Sequence, residues 1–197
     1  WKDAGAGMYY GFGSQDQFDA TRTAFGSARY SHRWGKWSMD VQAAYRANYD
    51  RYEWHRGQRV YGNFHFSQTA TASVAGHYAS PVGTTTVGIE VRNENIYSTN
   101  LGRDLQPGQY IGIKHEDGRS YTKKDDRTNL SYFAEHNFMW RQVTLSLGVM
   151  AERNNAIDHK FRFYPGIDLS YRPANAWRLF ASWNKSLRLP SFTDLWY

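Results

Sequence analysis

The feature that most constrains this chain is a two-residue alternation that recurs along nearly its whole length. From Trp37 to Asp50 the odd positions are Trp37, Met39, Val41, Ala43, Tyr45, Ala47 and Tyr49, and the even positions are Ser38, Asp40, Gln42, Ala44, Arg46, Asn48 and Asp50. Successive side chains of a strand point to opposite faces, so this segment has one apolar face and one polar face. It is also long, because ordinary strands run to about five or six residues. A tilted strand that crosses a bilayer needs about nine to eleven residues, with some overhang at each rim. The pattern predicts an all-β protein, an antiparallel transmembrane β-barrel of the outer-membrane type.

Composition fits that expectation. Hydrophobic residues make up 41% of the chain, yet nowhere do they form a run long enough for a membrane-spanning helix. A barrel needs no such run, since only every second residue meets lipid. Aromatic residues reach 17%, with Tyr 15 and Trp 8, and these amphipathic rings favour membrane–water boundaries. The absence of Cys excludes thiolate metal sites and Cys nucleophiles. The net charge of +6 is scattered rather than blocked, so nucleic acid is not an expected partner. Outer-membrane lipid and lipopolysaccharide, with their anionic groups, account for basic rims equally well.

Nine strands are predicted, at about 4–13, 22–34, 37–50, 63–80, 84–97, 127–139, 142–154, 161–172 and 177–187. The first places Ala6, Met8, Tyr10 and Phe12 on one face. Short turns join some neighbours: Gly35-Lys36, Pro81-Val82-Gly83, Trp140-Arg141 and the Pro173 to Ala176 run. Longer polar stretches, about 14–21, 51–62, 98–126 and 155–160, alternate with them. Short periplasmic turns and long extracellular loops are the pattern of an outer-membrane barrel. Trp34, Trp37, Tyr78, Trp140, Tyr171 and Trp177 flank the short turns, as a periplasmic girdle would. Gln68 and His136 are exceptions that fall on the apolar face. A soluble β-sandwich also alternates, but strand length, loop asymmetry and the one-sided girdle disfavour it.

Nine is an odd number, whereas single-chain bacterial barrels close with an even one. Pro190 cannot donate to a ladder, and no alternating descent follows it. The expectation is therefore that residues 1–197 form part of one transmembrane barrel domain belonging to a larger protein.

The last segment carries the most specific pattern. Asn184, Ser186, Arg188 and Pro190 stand at alternate positions and lead into Ser191, Phe192, Thr193, Asp194, Leu195 and, after Trp196, Tyr197. This run resembles the mid-barrel segment of TonB-dependent outer-membrane receptors, where Asn-x-Ser-x-Arg-x-Pro precedes Ser-Phe-Thr-Asp-Leu-x-Tyr. The residues Phe163 to Ser170 are similar to that family too, and Glu90 to Thr99 echo it more weakly. The style is most similar to the cobalamin-transporter-like branch. The resemblance implies a 22-stranded barrel filled by an N-terminal plug domain and energised through the TonB complex. It implies a small nutrient as cargo, an iron chelate, cobalamin or similar. It implies residence in the bacterial outer membrane and no catalysis. Neither a plug nor a TonB-contacting segment is visible within these residues, and no cofactor is expected.

The polar face carries charges of both signs: Arg29, Arg33, Asp40, Arg46, Asp50, Glu90, Arg92, Glu94, Glu135, Glu152, Arg162, Asp168, Arg172 and Arg178. A wet wall of this kind pairs internally and offers a plug breakable contacts. The loop from Ser98 to Arg127 is the main binding-loop candidate, since long loops in compact folds are often functional. Trp54, Tyr110, His115 and Tyr121 are the candidate substrate contacts. Asp117, Asp125 and Asp126 are weak candidates for Ca²⁺, which needs six to eight oxygens, and no EF-hand spacing supports them. The rival functions are a rim-located hydrolase and a complete small barrel acting as an adhesin or structural protein. None of the seven His residues stands in a spacing typical of a catalytic dyad or a zinc site.

Overall fold

The computed structural model describes residues 2–5, 17–55, 57, 62–157 and 159–196. Nine strands form one antiparallel sheet in chain order: β1 (Lys2–Gly5), β2 (Phe18–Trp34), β3 (Trp37–Glu53), β4 (Gly62–Ser80), β5 (Gly83–Ser98), β9 (Lys123–Trp140), β10 (Val143–Asn154), β11 (Arg162–Ala174) and β12 (Trp177–Asn184). Three two-residue strands lie in the connection between β5 and β9. β6 (Arg103–Asp104) pairs with β9, and β7 (Ile111–Gly112) pairs with β8 (Ser120–Tyr121). A short helix, α1 (Phe192–Trp196), follows β12. Among the described residues β1 and β12 are the two edges of the open sheet.

Eight of the nine expected strands correspond to β2–β5 and β9–β12; the first, about 4–13, overlaps β1 only at its start and otherwise lies outside the described residues. Ala6, Met8, Tyr10 and Phe12 lie outside the described residues. Several boundaries differ: β2 begins at Phe18 rather than near 22, and β3 ends at Glu53 rather than near 50. β9 begins at Lys123, four residues before the expected start near 127, and β12 ends at Asn184 rather than near 187.

Register decides what the alternation builds, because residues directly opposite in a ladder share a face. Tyr30 faces Val41, Val41 faces Val74, Val74 faces Ile89, Ile89 faces Tyr132, Tyr132 faces Ala151, and Ala151 faces Phe163. One apolar row thus crosses seven strands without a break. A slip of one residue anywhere would turn a whole strand inside out. Among the described residues this row and its neighbours on the apolar face lie open: Phe163, Trp183 and Val87 are more than half exposed. No described helix is long and apolar enough to cross a membrane.

The ladder also sets the tilt. A row that starts at the β2–β3 turn (Trp34, Trp37) passes through Tyr78 and Thr85, then His136 and Leu147, then Ile167 and Trp183. Each hairpin is displaced by about two residues against the one before. That is about 20 Å of rise over about 34 Å of sheet, a strand tilt of about 30°. Height follows. Tyr45 stands eight positions above Trp37, Tyr132 eight above Trp140, and Phe163 eight below Tyr171 in number and so equally high. Tilted by this amount, the apolar band is about 23 Å tall, close to the roughly 25 Å of outer-membrane barrels.

The two exceptions resolve differently. Gln68 belongs to the row with Ala47 and Asn95, just above the band, and donates to the Tyr45 hydroxyl at 2.8 Å. His136 lies inside the band, where its Nδ1 hydrogen-bonds Thr85 Oγ1 at 2.7 Å and its ring packs on Phe138.

One turn depends on glycine. Gly83 opens β5 with φ 146°, and a Cβ there would fall 1.9 Å from the Asn137 carbonyl oxygen on β9. Gly83→Ala in the complete protein is expected to cost about 2 kcal/mol or more. Urea unfolding in detergent or vesicles would measure it, and an unchanged midpoint would contradict the assigned turn.

Candidate functional site

The polar face of the sheet is a network rather than a set of separate charges. Near the short turns, Asp40 on β3 accepts from Arg29 (2.9 Å), from Ser31, and from His77 Nε2 (3.0 Å), while His77 Nδ1 bonds Thr86 Oγ1 at 2.9 Å. Toward the other edge of the sheet Asp168 receives Ser182 and Asn184, and Arg178 donates to Ser170 at 3.0 Å. Strand alternation places all these groups on one face. Cross-strand neighbours then satisfy each other, as a wet wall requires. The face also carries apolar surface. Phe133 lies over Gly88, and Phe180 is 83% exposed.

The strongest cluster sits where residues 185–196 fold back over this face. Arg127 donates to Glu94, whose carboxylate also holds Arg92. Arg127 further donates to the Pro190 carbonyl and stacks its guanidinium 4.8 Å from the Phe192 ring. Trp196 Nε1 donates to Asp125 at 2.9 Å. A cleft of about 330 Å³ opens between wall and segment, lined by Arg92, Glu94, Arg127, Asn129, Glu152, Leu187, Arg188 and Leu189. Asn129 and Glu152 are hydrogen-bonded partners. The cleft is wet and charged in both senses, suited to a polar surface that must seat and release.

The motif residues build the segment itself. Asn184 closes over Gly166, where a Cβ would meet its Oδ1 at 2.1 Å. Pro190 ends the extended run, and Ser191 with Asp194 forms a reciprocal cap on α1. The Ser191 amide and hydroxyl each donate to Asp194 Oδ2 at 2.8 Å, and the Asp194 amide donates back to Ser191 Oγ at 3.1 Å. Ser186, Arg188 and Leu195 are exposed, and Tyr197 lies outside the described residues. The Ser191 backbone and side-chain bonds hold the Asp194 carboxyl below the usual carboxylate range. A depressed carboxylate keeps its contribution above the ordinary pKa and loses it as pH falls through the lower folded value. Intrinsic-rate-corrected amide exchange in 191–196 is therefore expected to stay constant from pH 8 to 5. It should rise only below about pH 4, and a rise at pH 6 would contradict the cap.

The loop candidates lie elsewhere. The β7–β8 hairpin folds onto the apolar side of the sheet, above the band, where Ile113, Tyr121 and Phe64 form a buried cluster with Phe66 and Tyr97. Tyr121, expected as a displayed contact, is only 4% exposed, and burial pushes its hydroxyl up to about 12. His115 lines a cleft beside it. Tyr110 and Trp54 are nearly half exposed and do not line that cleft. The loop is tied down at its start. The Asn100 and Leu101 amides donate to Ser98 Oγ, which leaves the hydroxyl hydrogen for His65 Nδ1 at 2.7 Å.

The Ca²⁺ candidates do not share one loop. Asp125 and Asp126 belong to β9, not to a loop, and Asp125 is engaged by Arg103 and Trp196. Among the described residues no three His, Cys, Asp or Glu side chains are grouped as metal ligands.

A family model, TonB dependent receptor-like β-barrel, matches residues 2–197. The chain belongs to this family. No curated protein and no solved structure matches it. The apolar face of the receptor is therefore the lipid face and the polar network its lumen wall. Receptors of this family are outer-membrane transporters, not enzymes, and work with a plug and TonB. Arg127 and Asp125 tie residues 190–196 to this wall, a contact that the sequence pattern did not announce.

Proposed function

We propose that this receptor brings a scarce small nutrient, an iron chelate or cobalamin, across the outer membrane. In this reading residues 1–197 are one stretch of a larger barrel domain whose plug lies outside them. The plug seats against the lumen wall, and TonB-driven rearrangement of the plug opens the path. The observation that carries the reading is the hydrated two-sign network on the face opposite the apolar band. Such pairs exchange partners with water and a moving plug at little net cost, because exposed ion pairs contribute about 0–1 kcal/mol each. A dry apolar interface would resist the movement.

Outer-membrane lipid and lipopolysaccharide are the surroundings proposed for the apolar band. Trp54, Tyr110 and His115 remain proposed contacts for the cargo at the extracellular side.

The test is uptake in the native host. Radiolabelled ferric chelate and cobalamin are offered to cells with and without the intact gene, and to cells lacking TonB. Loss of one uptake in both deletions supports the reading and names the cargo. Uptake that survives loss of TonB, or is the same without the gene for every nutrient offered, overturns it.

A further inference from the structure

We propose that His65 is a proton-operated latch on the long connection between β5 and β9. The neutral ring holds the root of that connection, and the protonated ring releases it. The consequence for cargo capture rests on the transport reading; the latch itself rests on the geometry alone.

The register puts the parts in one row on the lumen face, above the apolar band. Thr21 faces Asp50, Asp50 faces His65, His65 faces Ser98, and Ser98 faces Lys123. Ser98 is fully buried at the end of β5, where the chain leaves the sheet. Its hydroxyl oxygen accepts the Asn100 amide at 2.9 Å and the Leu101 amide at 2.7 Å. A serine oxygen has two lone pairs and one hydrogen. Both lone pairs are used, so the hydrogen goes to His65 Nδ1, 2.7 Å away. The knot therefore needs a bare nitrogen at Nδ1, with the ring proton on Nε2. The turn it ties is a close one. Leu101 is buried, and a Cβ on Gly102 would fall 2.7 Å from the Lys124 backbone.

Protonation turns Nδ1 from an acceptor into a donor aimed at an oxygen with no lone pair to spare. Either one of the two amides loses its partner or the ring turns away. A second place is ready for the ring. Asp50 stands opposite on β3 and receives Thr21 at Oδ1 (2.9 Å), which leaves Oδ2 without a partner among the described residues. The other groups around the ring do not compete. Lys123, beyond Ser98 on β9, is paired with Asp104 on β6 at 2.8 Å. The lumen-face neighbours Asn63 and Ser67 on β4, Asn48 and Tyr52 on β3, and Ile96 on β5 carry no charge near neutral pH. His65 thus has two mutually exclusive partners, Ser98 when neutral and Asp50 when charged. A contact made only by the neutral ring contributes fully above the ordinary histidine range, about 6.5, and is lost as pH falls below it. Release is local, because the backbone and hydroxyl bonds between Thr99 and Phe64 remain. It loosens the start of the connection that carries Tyr110 and His115, so capture weakens as the medium turns acid.

The test is hydrogen exchange of the complete receptor in detergent, corrected for the intrinsic rate and read at the Asn100 and Leu101 amides. Between pH 8 and 5 their exchange is expected to rise about tenfold in the wild type. Residues 191–196, constant over this range, are the internal standard. His65→Asn offers an uncharged acceptor oxygen in place of Nδ1 and should keep exchange slow at both pH values. Asp50→Asn removes the charge that receives the imidazolium, and the rise should move to lower pH by about half a unit or more. Ser98→Ala should exchange fast already at pH 8. Heat-modifiable gel mobility reports folding, and if His65→Asn misfolds, Asp50→Asn decides. A wild-type rise of less than about threefold, an equal rise in folded His65→Asn, an unmoved rise in Asp50→Asn, or slow exchange in Ser98→Ala at pH 8 would each overturn the proposal. No cargo enters this measurement, so failure of the latch is distinct from failure of the transport reading.

Discussion

Arginine in place of Val74 is expected to destabilise the membrane-inserted receptor by about 2–4 kcal/mol, the cost of a cation on the lipid face at mid-depth. Arginine in place of the adjacent Ser73 should cost less than about 1 kcal/mol. The two positions are neighbours in sequence and opposite in face. Val74 sits midway between Tyr78 at the girdle and Ala70 opposite Tyr45, flanked by Val41 and Ile89. Ser73 lies between Gln42 and Glu90 on the lumen wall, where an arginine gains a carboxylate partner. Urea unfolding of the complete receptor from phospholipid vesicles would read the difference. Similar costs at both sites would refute the assignment of faces, because only lipid on one side and water on the other makes adjacent residues so unequal. A soluble sheet packed on a core would also punish Val74→Arg, so the same pair is measured in vesicles and after extraction into a charged-headgroup detergent. The excess cost at Val74 should shrink with the shorter apolar path to water.

Why some of the structure is legible in the sequence follows from the same asymmetry. Where one face meets lipid, selection for apolar residues writes a strict period of two, and β3, β4, β10 and β11 can be bounded within a few residues. Above the band both faces are wet. Lys123, Lys124, Asp125, Asp126 and Arg127 are all charged, so alternation vanishes although the strand continues. The start of β9 is therefore not legible, and neither are the contacts that Asp125 and Arg127 make with residues 190–196. Loop packing was illegible for another reason. Tyr121 and Ile113 are buried by Phe64, a residue far away in sequence, and nothing local distinguishes a Tyr that packs from a Tyr that binds. The cap at Ser191 and Asp194 was present in the motif, but its spacing is too short to announce a helix without the Pro190 stop before it.

The second large effect is expected from Arg127→Ala. Arg127 joins three things: the Glu94 carboxylate, the Pro190 carbonyl and the Phe192 ring. Its side chain and that of Glu94 are only 11% and 13% exposed. Removing one partner of a buried pair typically costs about 3–5 kcal/mol, because the other charge is left stranded. Here Arg92 remains on Glu94 and is itself half exposed, so the cost should be about 2–3 kcal/mol. That cost falls on the local structure, since Arg127 stands well above the band and the lipid-facing rows do not touch it. The expected result is a 30- to 150-fold rise, order of magnitude, in amide exchange across 187–196, with the global unfolding midpoint nearly unchanged. Arg127→Lys keeps the charge but not the planar fork or the ring stacking, and should fall between the two. If exchange in 187–196 is the same in Arg127→Ala and wild type, the motif segment is held by Trp196 and its own cap instead. If the global midpoint falls with it, the segment is part of the barrel's cooperative unit. The geometry argues for neither, because a segment pinned to a lumen wall by Arg127 and by the Trp196–Asp125 hydrogen bond can loosen at one anchor without unzipping the ladder.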